Sequence, residues 1–218
     1  MKISRNLQIL EKKAKWSFER SKKSIPSINP TLTPQEIENR MTYCALNLLN
    51  TWANFQRTFF ICCLLGARSQ IHRNITSNQT GIVTNSNDAI GKAILFFTPS
   101  RLPRSTGIWD TRHEPTWHDS NTLLRLSSNF SFSNDADIQA AFSFGFTAHK
   151  NLVVFRNYYA HKNQGTRTKA QAIATNYLIP QNNHPTKILL SAPSHSPSTT
   201  LVEFWAEEFS QTVELLCS

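Results

Sequence analysis

The sequence is poor in several residue types that common protein classes require. It has 6 glycines in 218 residues, which argues against glycine-rich phosphate loops and against an all-β fold with many tight turns. None of its four cysteines forms a Cys-x-x-Cys pair or lies near a histidine pair in sequence. Three of them, Cys44, Cys62 and Cys63, fall in one apolar segment with a helical pattern, where a free cysteine behaves as a small hydrophobic residue.

The chain also lacks a long hydrophobic run. Its longest apolar stretch, residues 59–67, is shorter than half a membrane span. The basic N-terminal stretch is not followed by the apolar core of a signal peptide. These features predict no membrane partner and a location in the reducing cytoplasm.

Apolar and basic residues, in contrast, are abundant. Hydrophobic residues make up 39% of the chain and aromatic residues 11%, which is enough for a packed core and argues against wholesale disorder. The formal net charge is +9, and most of the excess lies in residues 1–75, with 12 basic and 4 acidic side chains. This charge fits a polyanionic partner, nucleic acid above all, although a solvated basic helix face explains it equally well.

Apolar residues recur at three- and four-residue steps in several segments, which predicts helices. Residues 33–36 and 200–203 each place a glutamate three residues after a threonine, the capping box of a helix start. The segments 25–34 and 180–197 contain several prolines and are predicted to be loops. Helices are expected over residues 3–24, 34–65, 152–163 and 167–178, and from residues 134 and 200 onward.

The middle of the chain, residues 74–133, shows no sustained period. It predicts an irregular insertion with a short element at 93–97 and a helix at 116–126, pinned to the core by Trp109, Trp117 and Phe130. The chain is therefore expected to form a single mainly α domain over residues 1–218. Its core helices lie at about 1–73 and 134–218.

One segment combines residues suited to acid–base chemistry, Arg156-Asn157-Tyr158-Tyr159-Ala160-His161. On a helix, Asn157 and His161 lie one turn apart on the side opposite to the apolar stripe, with Arg156 on the flank. Histidine titrates near neutral pH and moves protons, whereas arginine presents a fixed fork to phosphate oxygens. Asparagine can orient its neighbours. RNA supplies its own nucleophile, the 2′-hydroxyl, so this set suits cleavage of an RNA phosphodiester without a metal or cofactor.

This motif resembles the R-x4-6-H motif of the HEPN superfamily, in its R-N-x-x-x-H form. The resemblance implies a bundle of four or five helices and a metal-independent endoribonuclease, acting as a toxin or in antiviral defence and abortive infection. Arg156, Asn157 and His161 are the implied catalytic residues, and the products are a 2′,3′-cyclic phosphate and a 5′-hydroxyl. The segment 74–133 has no counterpart in the minimal fold.

Further residues near the motif are candidates for RNA binding. The basic residues Lys162, Arg167 and Lys169 follow it and can contact phosphates, while Tyr158 can stack on a base. Two proton-transfer groups are usually needed, and the chain has one motif, so a homodimer with a composite active site is expected. An antitoxin or regulatory protein is a further possible partner.

Two other functions compete with this interpretation. One is a non-catalytic HEPN-like module that binds RNA, a nucleotide or a protein. The other is a metal-dependent hydrolase that uses His113 and His118. Pro115 breaks the helix that an H-E-x-x-H site requires, so a turn anchored by a tryptophan with polar partners is favoured for this segment.

Overall fold

The computed structural model describes residues 6–25 and 32–218. The chain is mainly α-helical, as the apolar periodicity predicts, and the described part contains nine α-helices and one two-stranded antiparallel ribbon. The helices are α1 (Leu7–Lys22), α2 (Pro34–Leu64), α3 (Ser86–Phe97), α4 (Ser120–Asn129), α5 (Asp135–Ser143), α6 (Ala148–His161), α7 (Gln164–Asn176), α8 (Pro185–Leu190) and α9 (Leu201–Cys217); the strands are β1 (Ala67–Arg68) and β2 (Asn74–Ile75), with Ala67 opposite Ile75 and Arg68 opposite Asn74.

Contacts divide the chain into two compact units. The first comprises the described residues of Met1–Ala14 together with Trp52–Gly145 and Thr212–Ser218. The second comprises the described residues of Lys15–Thr51 together with Phe146–Gln211. The predicted insertion at 74–133 is therefore part of the first unit, and its expected boundaries are not boundaries between the units.

The first unit is built around aromatic side chains. Phe60 of α2 contacts the rings of Trp117, Phe130 and Phe132 at centroid distances of 5.5–6.0 Å. Gln56 Nε2 donates to the Trp117 carbonyl at 2.8 Å, which fixes the same segment to α2. The prediction that Trp117 and Phe130 anchor the irregular segment is confirmed.

Trp109 is held in a different way, by contacts with α3. Its indole lies directly on Gly91 of α3, where a Cβ would overlap the ring. The Trp109 backbone N–H also donates to Asn87 Oδ1 at 3.0 Å. The loop after α3 is thereby attached to that helix, because glycine leaves room for the indole.

The second unit has its core around Trp205 of α9. The indole packs edge-on against Phe155 of α6, and its Nε1 donates to the Tyr177 hydroxyl at 2.8 Å. Asn151 Nδ2 donates to the same hydroxyl at 3.0 Å. Phe209 stacks on Phe18 of α1 with centroids 5.4 Å apart. The contacts of Phe155 and Asn151 hold α6 in this core.

Both predicted capping boxes are present. The Thr33 N–H donates to Glu36 Oε2 at 2.8 Å, and the Glu36 N–H donates back to Thr33 Oγ1 at 3.3 Å. Thr200 and Glu203 make the same reciprocal pair at 2.8 and 3.4 Å. Because these signals are local, helices α2 and α9 begin where the sequence indicates.

Several boundaries differ from the expected ones. The predicted loop at 180–197 contains α8, which begins with Pro185 after His184. Helix α6 begins at Ala148 and not at residue 152, because its start is capped by a distant side chain described below. The element at 93–97 is the end of the longer α3, and the helix expected at 116–126 runs over Ser120–Asn129. Residues 3–5 of the first predicted helix and 26–31 of the first predicted loop lie outside the described residues.

None of the helices in the described ranges is long and apolar enough to cross a membrane.

Candidate active site

The Arg156–His161 motif lies on the last two turns of α6, in the second unit. Leu152 and Phe155 of this helix are fully buried, whereas Arg156 and His161 are exposed and Asn157 is partly exposed. Because the helix continues through His161, Asn157 and His161 are one turn apart, as the 3.6-residue period predicts. The three predicted catalytic residues are thus accessible on a helix whose other face is fixed in the core.

Asn157 holds the arginine. Arg156 Nη1 donates to Asn157 Oδ1 at 3.1 Å, so the guanidinium lies beside the asparagine although the two residues are adjacent in sequence. A guanidinium has five N–H donors, and the remaining ones can reach a phosphate. The arginine therefore reaches the asparagine without any change in the helical turn.

The end of α6 places the next basic residues. Lys162 has left-handed backbone angles (φ 43°), and its N–H donates to the Tyr158 carbonyl at 2.7 Å. Asn163 then caps α7, accepting from the Thr166 N–H at 2.9 Å. The resulting turn leaves Lys169 exposed and Arg167 half-buried on α7.

Lys162 has an acidic partner that the sequence did not indicate. Its Nζ lies 3.1 Å from Glu38 Oε1 on the first turns of α2. The lysine side chain is half exposed, so this ion pair stabilises the fold only weakly. Part of the positive charge expected for RNA phosphates is therefore already compensated.

The stacking role predicted for Tyr158 is wrong, because the residue is only 5% exposed. Its ring packs edge-on against His184 and Tyr159, with centroids 5.7 and 5.3 Å away. Burial raises the pKa of its hydroxyl. A ring enclosed in this way offers no free face to a base. Tyr159 is buried too, as its place on the apolar stripe predicts.

His184 is a further histidine in contact with the motif helix, which sequence reasoning missed. Its Nδ1 accepts from the Thr186 N–H at 3.3 Å at the start of α8, which assigns the proton of the neutral ring to Nε2. Nε2 lies 2.8 Å from the Tyr158 hydroxyl and donates to it. Burial lowers the pKa of the imidazole, and Glu38 opposes this shift. The sequence offered one signal for this residue, namely a histidine directly before the proline that begins a short helix.

A buried carboxylate caps the motif helix. Glu208 Oε2 of α9 accepts from the N–H groups of Thr147 and Ala148 at 3.1 and 2.8 Å. Burial raises the pKa of Glu208 despite these two bonds. The carboxyl group thus fixes the start of α6 while losing solvation of its charged form.

We expect Glu208→Ala to lower the free energy of unfolding by about 2 kcal/mol, since two N–H groups at the start of α6, that of Ala148 being buried, lose their acceptor. Glu208→Gln keeps an acceptor oxygen and carries no charge. A raised folded-state pKa means that the protonated form stabilises the fold and that this contribution is lost as pH rises through that pKa. Melting temperatures of Glu208→Gln and wild type should therefore agree at acidic pH, with the variant higher at pH 7. A variant that is less stable than wild type only at pH 7 would contradict this.

The segment around His113 and His118 forms the predicted turn. Arg57 Nε and Nη2 donate to the two oxygens of Glu114 at 2.6 and 3.0 Å, and Trp117 Nε1 donates to Glu114 Oε2 at 2.8 Å. The Trp-anchored turn with polar partners is confirmed. Within residues 6–25 and 32–218, no group of three or more His, Cys, Asp or Glu side chains is placed to hold a metal ion.

Comparison with family models, with curated proteins and with solved structures finds no match for this chain. The residues at the end of α6 are therefore the basis of the functional proposal.

Proposed function

We propose that this chain is a metal-independent endoribonuclease whose catalytic residues are Arg156, Asn157 and His161. The observation that supports the proposal is the exposed cluster on α6, in which Asn157 accepts a hydrogen bond from Arg156 one turn before His161. A positioned arginine and a histidine that exchanges protons near neutral pH are the groups that phosphodiester cleavage requires.

In the proposed mechanism, the 2′-hydroxyl attacks the adjacent phosphorus. A bond forms between the 2′-oxygen and phosphorus, the bond to the 5′-oxygen breaks, and the proton lost by the 2′-hydroxyl is balanced by one gained by the 5′-oxygen. His161 accepts or donates one of these protons. Arg156 stabilises the additional negative charge on the phosphorane, and Asn157 keeps the guanidinium in place. Lys162, Arg167 and Lys169 attract the neighbouring phosphates.

The resemblance of the motif to the HEPN superfamily supports the same reaction and suggests its setting. A mainly α fold is compatible with the helical bundle of that superfamily. The proposed setting is a cytoplasmic toxin or antiviral effector that works as a homodimer and is controlled by an antitoxin or regulatory protein.

The test is incubation of the purified chain with end-labelled single-stranded RNA in EDTA. Cleavage is expected to continue, to leave 2′,3′-cyclic phosphate ends, and to stop at any site where the nucleotide on the 5′ side of the scissile bond is 2′-deoxy. Loss of cleavage in EDTA with recovery on addition of zinc or magnesium would favour the metal-dependent hydrolase instead. Binding of the RNA without cleavage would favour the non-catalytic module.

A further inference from the structure

A cavity of about 470 Å³ lies between the first turns of α2 and helix α8. Two of its lining residues belong to the surroundings of the motif, since Glu38 pairs with Lys162 and His184 donates to Tyr158. Its volume is within the range of small-molecule sites. The cavity therefore lies beside the end of α6, next to the proposed active site.

The lining of the cavity combines apolar and polar side chains. Pro34, Ile37 and Leu190 contribute apolar surface on its two sides. Lys187 and Gln35 lie among the exposed lining residues. A planar aromatic ligand with a polar edge and a nearby phosphate matches this mixture of apolar walls and polar groups.

The polar group that selects the ligand is the carboxylate of Glu38. Its side chain is only 15% exposed, and among the described residues its Oε1 accepts no hydrogen bond, although Lys162 Nζ is near. Lys162 therefore neutralises the charge of this oxygen, but a buried oxygen that accepts no hydrogen bond still carries a cost. A ligand that brings N–H groups to this oxygen removes that cost, and a carboxylate has lone pairs for such donors in addition to the lysine.

We propose that this cavity binds a guanine base and that Glu38 recognises it. Guanine is the base whose Watson–Crick edge presents two adjacent donors, N1–H and the 2-amino group, which match the two oxygens of a carboxylate. Adenine and cytosine each place an acceptor nitrogen beside their amino group, and uracil flanks its N–H with two carbonyls. These acceptors repel a carboxylate, so the carboxylate discriminates against the other three bases.

The proposed ribonuclease activity is needed only for the biological role of the cavity, which is to hold a guanosine near the cleaved bond. Base binding itself is measured with 5′-mononucleotides, which contain no bond for the enzyme to cleave. All of the nucleotides compared carry the same ribose 5′-phosphate, so differences between them report the base alone.

The experiment titrates the full chain with GMP, AMP, CMP, UMP and IMP, following chemical shifts or heat. GMP is expected to bind at least about tenfold more tightly than AMP, CMP or UMP, and IMP, which lacks the 2-amino group, more weakly than GMP. Glu38→Gln should lose the preference for GMP. Lys162→Met breaks the same ion pair but keeps the carboxylate, so it should retain the preference.

Equal binding of all five nucleotides by wild type, or no binding at all, overturns the proposal whatever the variants do. RNA cleavage without any GMP preference would retain the ribonuclease and reject the guanine site. GMP preference without RNA cleavage would retain the guanine site and reject the ribonuclease. If GMP is preferred and cleavage sites cluster at guanosines, the ligand is a residue of the RNA; if they do not cluster, it is a free guanine nucleotide.

Discussion

His161→Ala is expected to reduce RNA cleavage by at least about 100-fold, because it removes the proposed group for proton transfer. Arg156→Ala should cause a loss of similar size, since it removes the guanidinium that is proposed to stabilise the phosphorane. Arg156→Lys keeps the charge but not the planar fork and should restore only part of the activity. Initial rates on one labelled RNA measure all three variants.

These substitutions should leave the fold nearly unchanged. Both side chains are exposed at the end of a helix that is held by its opposite face, and such changes usually alter stability by no more than about 0.5 kcal/mol. Lys150→Ala is the matched control, because it removes an exposed basic side chain from the same helix outside the motif. Cleavage at the wild-type rate by folded His161→Ala would reject the assignment of this histidine.

Sequence patterns predicted the elements whose signals are local. Helix α2 was expected over residues 34–65 and is observed over Pro34–Leu64, because its capping box and its apolar stripe lie within the helix itself. The start of α6 was misplaced because its cap, Glu208, is 60 residues away from Ala148 in sequence. No local pattern indicates a cap of that kind.

Sequence patterns also predicted only the local features of the candidate active site. The helical period placed Asn157 and His161 on the exposed side correctly, and their accessibility follows from the burial of Phe155. Tyr158 lies at the edge of the apolar stripe, and its burial depends on His184, in a segment that was expected to be a loop. Glu38 and His184 reach the end of α6 from other parts of the chain, so only the fold reveals the guanine cavity.

The proposed cleavage usually calls for a second proton-transfer group. His184 lies beside the motif, but its Nδ1 accepts from Thr186 and its Nε2 donates to Tyr158. Both ring nitrogens are therefore occupied. The simplest source of a second histidine is His161 of another copy, brought in by a two-fold axis that places both α6 ends in one cleft. In such a dimer, the pairing of Lys162 with Glu38 would reduce the repulsion between the two basic sites.

We therefore expect a mixture of Arg156→Ala and His161→Ala chains to cleave RNA well above the rate of either variant alone. A mixed dimer retains one intact arginine and one intact histidine. A dimer of Arg156→Ala chains has no Arg156, and a dimer of His161→Ala chains has no His161. Activity should appear only after the chains have had time to exchange, and wild-type activity per chain should fall when the protein is diluted through its dissociation range. The measurement is the initial rate at several mixing ratios, alongside light scattering at the same concentrations. A chain that is strictly monomeric and fully active under those conditions has a complete site of its own, and the shared cleft is then rejected.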